Sequence, residues 1–148
     1  MGSIVLADDD DDIRAVYGPF LRSVGHDVWD ASGGLEALDL VREHRPRLLI
    51  LDVWMPKCNG FEVLERLRRD PYSSQMKVLM LSNLGDADTR LECFEMGVAD
   101  YVVKGLALGE FRDRVDRLLS EESSLVAMPV ASVVDDPSGR IKLDSPLG

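Results

Sequence analysis

Apolar residues fall into two alternating patterns along this chain. Short runs, Ser3 to Ala7, Asp27 to Ala31, Leu48 to Leu51, Lys77 to Leu81 and Asp100 to Val103, have the length and branched or aromatic content of strands. Leu48 to Leu51 is continuously apolar, as a strand buried on both faces of a parallel sheet is. Between the runs, apolar residues return at helical spacing. Ile13, Val16, Phe20, Leu21 and Val24 mark a first helix stopped by Gly25, and Pro19 predicts a kink in it because proline cannot donate to the carbonyl of Ala15. Leu35 to His44 predicts a second, with Leu35, Leu38 and Val41 inward, and Phe61, Leu64 and Leu67 line a third that Asp70-Pro71 stops. Asp86 to Met96 is a fourth, with Leu91, Phe94 and Met96 its apolar members, and Glu110 to Ser120 a fifth, with Phe111, Val115, Leu118 and Leu119 on one face. Strands alternating with helices predict an α/β fold, a five-stranded parallel sheet with right-handed crossovers.

The rhythm breaks at Glu121. Leu125 to Val134 is apolar, Asp135 to Gly139 offers a turn, and Arg140 to Leu143 could pair back, so this stretch reads as a hairpin or as a linker. The expected organisation is one domain over residues 1–122 and a tail over 123–148.

Functional groups gather where the strands end. Asp8 and Asp9 follow the first, Asp52 the third, Ser82 the fourth and Lys104 the fifth. In an open parallel sheet, ligands bind outside the carboxyl ends of strands, at the point where strand order reverses. An acid at the end of a buried strand is costly unless it is paired, metal-bound or chemically used, although Asp52 could also cap the loop that Pro56 and Gly60 turn. Three acids in one pocket raise one another's pKa unless a cation intervenes, and hard oxygen ligands suit Mg2+, which shares its shell readily with a phosphate. An ammonium and a hydroxyl suit the remaining phosphoryl oxygens, and an aspartate so surrounded can act as a nucleophile on a phosphoryl group. Asp10 to Asp12 read as a solvated run that caps the first helix, and His26 and His44 as surface residues.

Composition narrows the classes. A formal net charge of −10 argues against nucleic acid as a direct partner, since no basic cluster is present to neutralise phosphates. No apolar run reaches membrane-spanning length, and the N-terminus lacks a basic-then-apolar leader. Cys58 and Cys93 lack metal-ligand spacing and read as reduced thiols of a cytoplasmic protein.

Over Ser3 to Ser120 the sequence resembles the receiver domain of two-component response regulators, including single-domain chemotaxis regulators. The resemblance is carried by Ile4-Val5-Leu6-Ala7-Asp8-Asp9, Leu51-Asp52-Val53-Trp54-Met55-Pro56 with Gly60, Met80-Leu81-Ser82, and Ala99-Asp100-Tyr101-Val102-Val103-Lys104. It implies a flavodoxin-like sheet of order 2-1-3-4-5 flanked by five helices. It further implies that Asp52 is the phosphoacceptor and that Asp8, Asp9 and Asp52 hold Mg2+ with the backbone carbonyl of Trp54. Ser82 and Lys104 would meet phosphoryl oxygens, and Ser82 and Tyr101 would form the switch. Gly105 stands where the family usually has proline, Trp54 is bulkier than most residues at its position, and Gly18-Pro19 interrupts the first helix.

The expected function is that of a phosphoacceptor, not a classical enzyme, taking a phosphoryl group from a histidine kinase or phosphotransfer protein onto Asp52. The signal would pass to a downstream protein or a second copy by protein–protein contact. The alternative is a receiver-fold interaction scaffold that is not phosphorylated in use. Phosphatases with an aspartate nucleophile need a second acid at position 54, where this chain has Trp54.

Overall fold

A computed structural model gives the protein as five parallel strands and five helices in strict alternation, and it describes residues 2–83 and 85–127, the stretch 121–127 by its backbone only. The strands are β1 (Ser3–Ala7), β2 (Asp27–Ala31), β3 (Leu48–Leu51), β4 (Lys77–Ser82) and β5 (Asp100–Val103). The helices are α1 (Asp11–Ser23), α2 (Gly34–His44), α3 (Gly60–Arg69), α4 (Ala87–Glu95) and α5 (Leu108–Ala127). The sheet order is β2-β1-β3-β4-β5, so the order reverses between β1 and β3. Register aligns Ala7 with Leu51 and Leu51 with Met80, which brings the carboxyl ends of β1, β3 and β4 to one rim.

Every side chain of β3 is buried because the sheet has a core on each face. Val5, Leu49, Leu51, Val78 and Met80 pack with Leu38 and Val41 of α2, Val63, Leu64 and Leu67 of α3 and Cys93 of α4. Ile4, Leu6, Leu48, Ile50, Leu79 and Leu81 pack on the other face with Tyr17 and Leu21 of α1 and Phe111, Val115, Leu118 and Leu119 of α5. Each fully buried aliphatic side chain contributes about 2 kcal/mol, so the central strands anchor the rim below the site.

Local chemistry fixes the helix starts nearest that rim. The Asp10 side chain caps α1 by accepting from the Asp12 N–H. Asn59 and Glu62 form a capping box at α3, each side chain accepting from the other's backbone N–H. Gly60 opens α3 so close to the loop after β3 that a Cβ there would lie 2.5 Å from the Asp52 carbonyl oxygen. The chain can turn this tightly only with glycine.

Several expectations need correction. Gly18-Pro19 does not interrupt the first helix: α1 is continuous from Asp11 to Ser23 with Pro19 inside it, and Ala15 and Pro19 both face solvent, where water can serve the carbonyl that proline leaves without a donor. Leu35 is 53% exposed, because the buried line of α2 runs through Gly34, Ala37, Leu38 and Val41. At 100° per residue, Leu35 lies roughly 110° round the helix from the centre of that line. Val16 is exposed for the same reason, with Tyr17, Gly18 and Leu21 on the buried side of α1. Leu91 and Phe94 also face solvent, and Cys93 is the buried residue of α4.

His26 is not a surface residue. It is 7% exposed, its Nδ1 accepts from the Gly2 N–H at 2.9 Å, and its Nε2 lies 3.4 Å from Asp116 of α5. His44 stacks on Trp29 with ring centroids 4.1 Å apart. α5 continues to Ala127, so Leu125 to Ala127 are helical, and the remainder of the expected hairpin or linker lies outside the described residues. Among the described residues no helix is long and apolar enough to cross a membrane.

Candidate functional site

Asp8 leaves β1 buried and tightly held. Its N–H donates to the Ala31 carbonyl at 3.0 Å, which carries the β1–β2 pairing one step past the strand, and its Oδ1 accepts from the Asp10 N–H at 2.9 Å. Asp9 follows, exposed on the rim. Asp52 extends β3 in the same way, with its N–H donating to the Ala7 carbonyl at 2.9 Å, and it is 5% exposed. β1 and β3 thus present their carboxylates side by side at the strand-order reversal. One oxygen from each of Asp8, Asp9 and Asp52 lies within 4.8 Å of the others.

The far side of the pocket comes from β4 and β5. Ser82 ends β4 fully buried, and its carbonyl accepts from the Lys104 N–H at 2.7 Å. Lys104 then turns its side chain inward: Nζ lies 2.7 Å from Asp8 Oδ2 and 3.5 Å from Asp52 Oδ1. Gly105, at φ 99°, takes the left-handed turn that leads away from the site, and every peptide bond described is trans.

Electrostatics follow from this packing. Burial, then the neighbouring Asp8 charge, pushes the Asp52 carboxyl up to about 7, against the pull of Lys104. Burial would lower Lys104, but its hydrogen bond to Asp8 and the charges of Asp52 and Asp8 outweigh that and hold the ammonium above its ordinary range. A raised carboxyl beside two further acids marks a place where a divalent cation would relieve repulsion, and all three donors are hard oxygens. The set fits Mg2+.

Tyr101 lies behind Ser82, with 1% of its surface exposed. Burial raises its phenol, and a hydrogen bond with the Ser82 hydroxyl opposes the rise. The Arg90 guanidinium lies 5.5 Å from the centre of the Tyr101 ring, which joins this pair to α4. Trp54, two residues after Asp52, points its indole outward, 53% exposed and edge-on to Phe61 at 5.8 Å.

Asp8, Asp9, Asp52 and Lys104 therefore share one pocket, Ser82 and Tyr101 share one hydrogen bond, and the Trp54 side chain stands on the rim. Sequence reasoning missed Arg14. Its Nη1 donates to the Asp8 carbonyl at 2.6 Å, and the one available signal was a basic residue in the first turn after an aspartate run.

Comparison with known proteins agrees with this architecture. Residues 4–116 match the family model described as the response regulator receiver domain. The DNA-binding dual master transcriptional regulator RpaA of Synechocystis is 36% identical over 119 residues, covering 80% of this chain and 49% of that protein. Across the first relatives the chain spans 43% to 58% of their length. The chemotaxis response regulator CheY4 of Vibrio cholerae superposes with TM-score 0.75 at 26% identity, over 80% of this chain and 98% of that one. The non-phosphorylated HemR receiver domain of Leptospira biflexa gives TM-score 0.74 at 29% identity, over 81% and 95%. With the fold, the rim of strand ends and the family model in agreement, the chain belongs to the response regulator receiver domain family of two-component signalling proteins.

Proposed function

We propose that Asp52 is a phosphoacceptor charged by a histidine kinase or phosphotransfer protein, and that the phosphorylated domain signals by protein–protein contact. The observation that carries this reading is the placement of one buried lysine between two buried carboxylates, with a third carboxylate within 4.8 Å. In the transfer, an Asp52 carboxylate oxygen attacks phosphorus, the P–N bond to the donor histidine breaks, and the leaving imidazole nitrogen keeps the electron pair. Lys104 faces the incoming phosphoryl group with positive charge, and Ser82 offers it a hydroxyl donor. Asp8, Asp9, Asp52 and the Trp54 carbonyl would hold Mg2+, which supplies charge neutralisation to the phosphoryl oxygens. Burial of Asp52 keeps bulk water from most of the carboxyl, so the charges around it act more strongly than they would in water.

The signal would leave through the face behind the site. Leu91 and Phe94 on α4, Val103 on β5 and Leu108 at the start of α5 are exposed apolar residues on the elements around Tyr101. The chain's net charge of −10 favours protein partners over direct contact with nucleic acid.

Treatment with acetyl phosphate and Mg2+ tests the reading by intact mass. One added phosphoryl group is expected on the wild type, with none on Asp52→Asn and none in excess EDTA. Full labelling of Asp52→Asn would overturn the assignment.

A further inference from the structure

Asp8 is fixed at four points, and one of them is a cationic side chain with no part in the machinery just assigned. Its N–H bonds Ala31, its Oδ1 accepts from Asp10, and its Oδ2 faces Lys104. The fourth is its carbonyl oxygen, which accepts from Arg14 Nη1 at 2.6 Å. That oxygen belongs to the peptide group joining Asp8 to Asp9. The second Arg14 nitrogen pairs with the Asp11 carboxylate, and the Arg14 N–H donates to the Asp10 carbonyl at 3.2 Å. The Arg14 side chain is only 18% exposed although its partner Asp11 is 89% exposed. The guanidinium therefore folds back over the N-terminus of α1 and clamps the turn on which Asp9 stands.

We infer that Arg14 is a positioning residue for the cation site: it sets the plane of the Asp8–Asp9 peptide and so holds the Asp9 carboxylate toward Asp8 and Asp52. The inference rests on the proposed roles of Asp8 and Asp9 as metal ligands. Asp8 has three other restraints, whereas Asp9 is exposed and follows directly from the peptide that Arg14 holds. Losing the clamp would free that peptide plane and let the Asp9 carboxylate swing into water.

Charge and position predict opposite signs for the same substitution. Arg14 is a cation beside an acidic pocket, so as a charge alone it repels a divalent ion, and its removal would tighten binding. As a clamp, it preorganises a ligand, and its removal would weaken binding.

The test is a Mg2+ titration of the full chain followed by the amide chemical shifts of residues 8 to 14, with melting in EDTA as the control for folding. Arg14→Ala should weaken Mg2+ affinity roughly tenfold, the effect of one lost charge-assisted hydrogen bond. Saturating Mg2+ should restore the rate of labelling by acetyl phosphate. Arg14→Lys keeps the charge without the two-pronged fork and should fall between. Unchanged or tighter affinity in Arg14→Ala overturns the inference. If that variant melts early, Arg14→Lys decides: weaker affinity supports the clamp, and wild-type affinity overturns it. Failure of the wild type to label would sink the phosphoacceptor reading and leave the Mg2+ titration standing as the test of Arg14. Absence of Mg2+ shifts at Asp8 and Asp9 in the wild type would overturn the inference together with the metal assignment.

Discussion

Lys104 leans toward Asp8: its ammonium lies 2.7 Å from Asp8 Oδ2, against 3.5 Å from Asp52 Oδ1. Both carboxylates are buried, so the one lysine serves Asp8 more closely than Asp52, the residue proposed for the chemistry. Asp52 is left with the weaker partner, and its raised pKa follows from burial and from the Asp8 charge beside it.

Removing the lysine should expose this arrangement. Lys104→Met leaves two buried carboxylates without an ammonium, which should cost on the order of 3 kcal/mol in urea unfolding at pH 8. The loss should be smaller at pH 5, where Asp52 carries a proton in the folded state. Equal losses at both pH values would show that Lys104 acts through packing of its stem and not through charge.

The same carboxyl makes the metal-free protein sensitive to pH. In the folded protein it is pushed up to about 7 from the ordinary carboxyl value of 3.8, so between those values the folded state binds more protons than the unfolded state. The stability this group contributes is fully present below the lower value and is lost as pH rises through the upper one. Asp52→Asn cannot ionise and escapes the loss. In EDTA, the melting midpoint of Asp52→Asn should match the wild type at and below about pH 3.8, exceed it progressively up to about pH 7, and keep a steady lead above that. A constant difference across that range would place Asp52 in an ordinary solvated setting.

The sequence made the sheet and the rim legible because both are written in short-range pattern. A buried strand such as Leu48–Leu51 reads as apolar whichever face a residue takes, and a charged or hydroxyl residue at its end is conspicuous. Helix faces were harder. Leu35 and Val16 fit an apolar spacing, yet the buried stripe is set by which residues meet the sheet, and Ala37 and Tyr17 won those places. His26 was misread because nothing local marks it: its partners are Gly2, distant along the chain, and Asp116, on the last helix. Arg14 was missed for a related reason. It acts on a backbone carbonyl, and main-chain partners leave no trace in residue spacing.

Tyr101 and Ser82 carry the prediction about signalling. A hydrogen bond joins the Ser82 and Tyr101 hydroxyls and works against the rise that burial gives the Tyr101 phenol. A serine has one proton to give, so a phosphoryl group on Asp52 and the Tyr101 oxygen compete for it. When the phosphoryl oxygen takes that proton, Tyr101 must become the donor or move, and either change reaches Arg90 on α4 through the ring it covers. In the unphosphorylated protein, Tyr101→Phe and Ser82→Ala should therefore be coupled by about 1 kcal/mol in a double-mutant cycle of urea unfolding. Acetyl phosphate with Mg2+ should shift the amides of Leu91 and Phe94 in the wild type and shift them less in Tyr101→Phe. A coupling near zero would mean that the two hydroxyls do not share their bond in solution. Equal amide shifts in both proteins would route the signal to α4 by another path, with Tyr101 serving only to fill the end of the sheet.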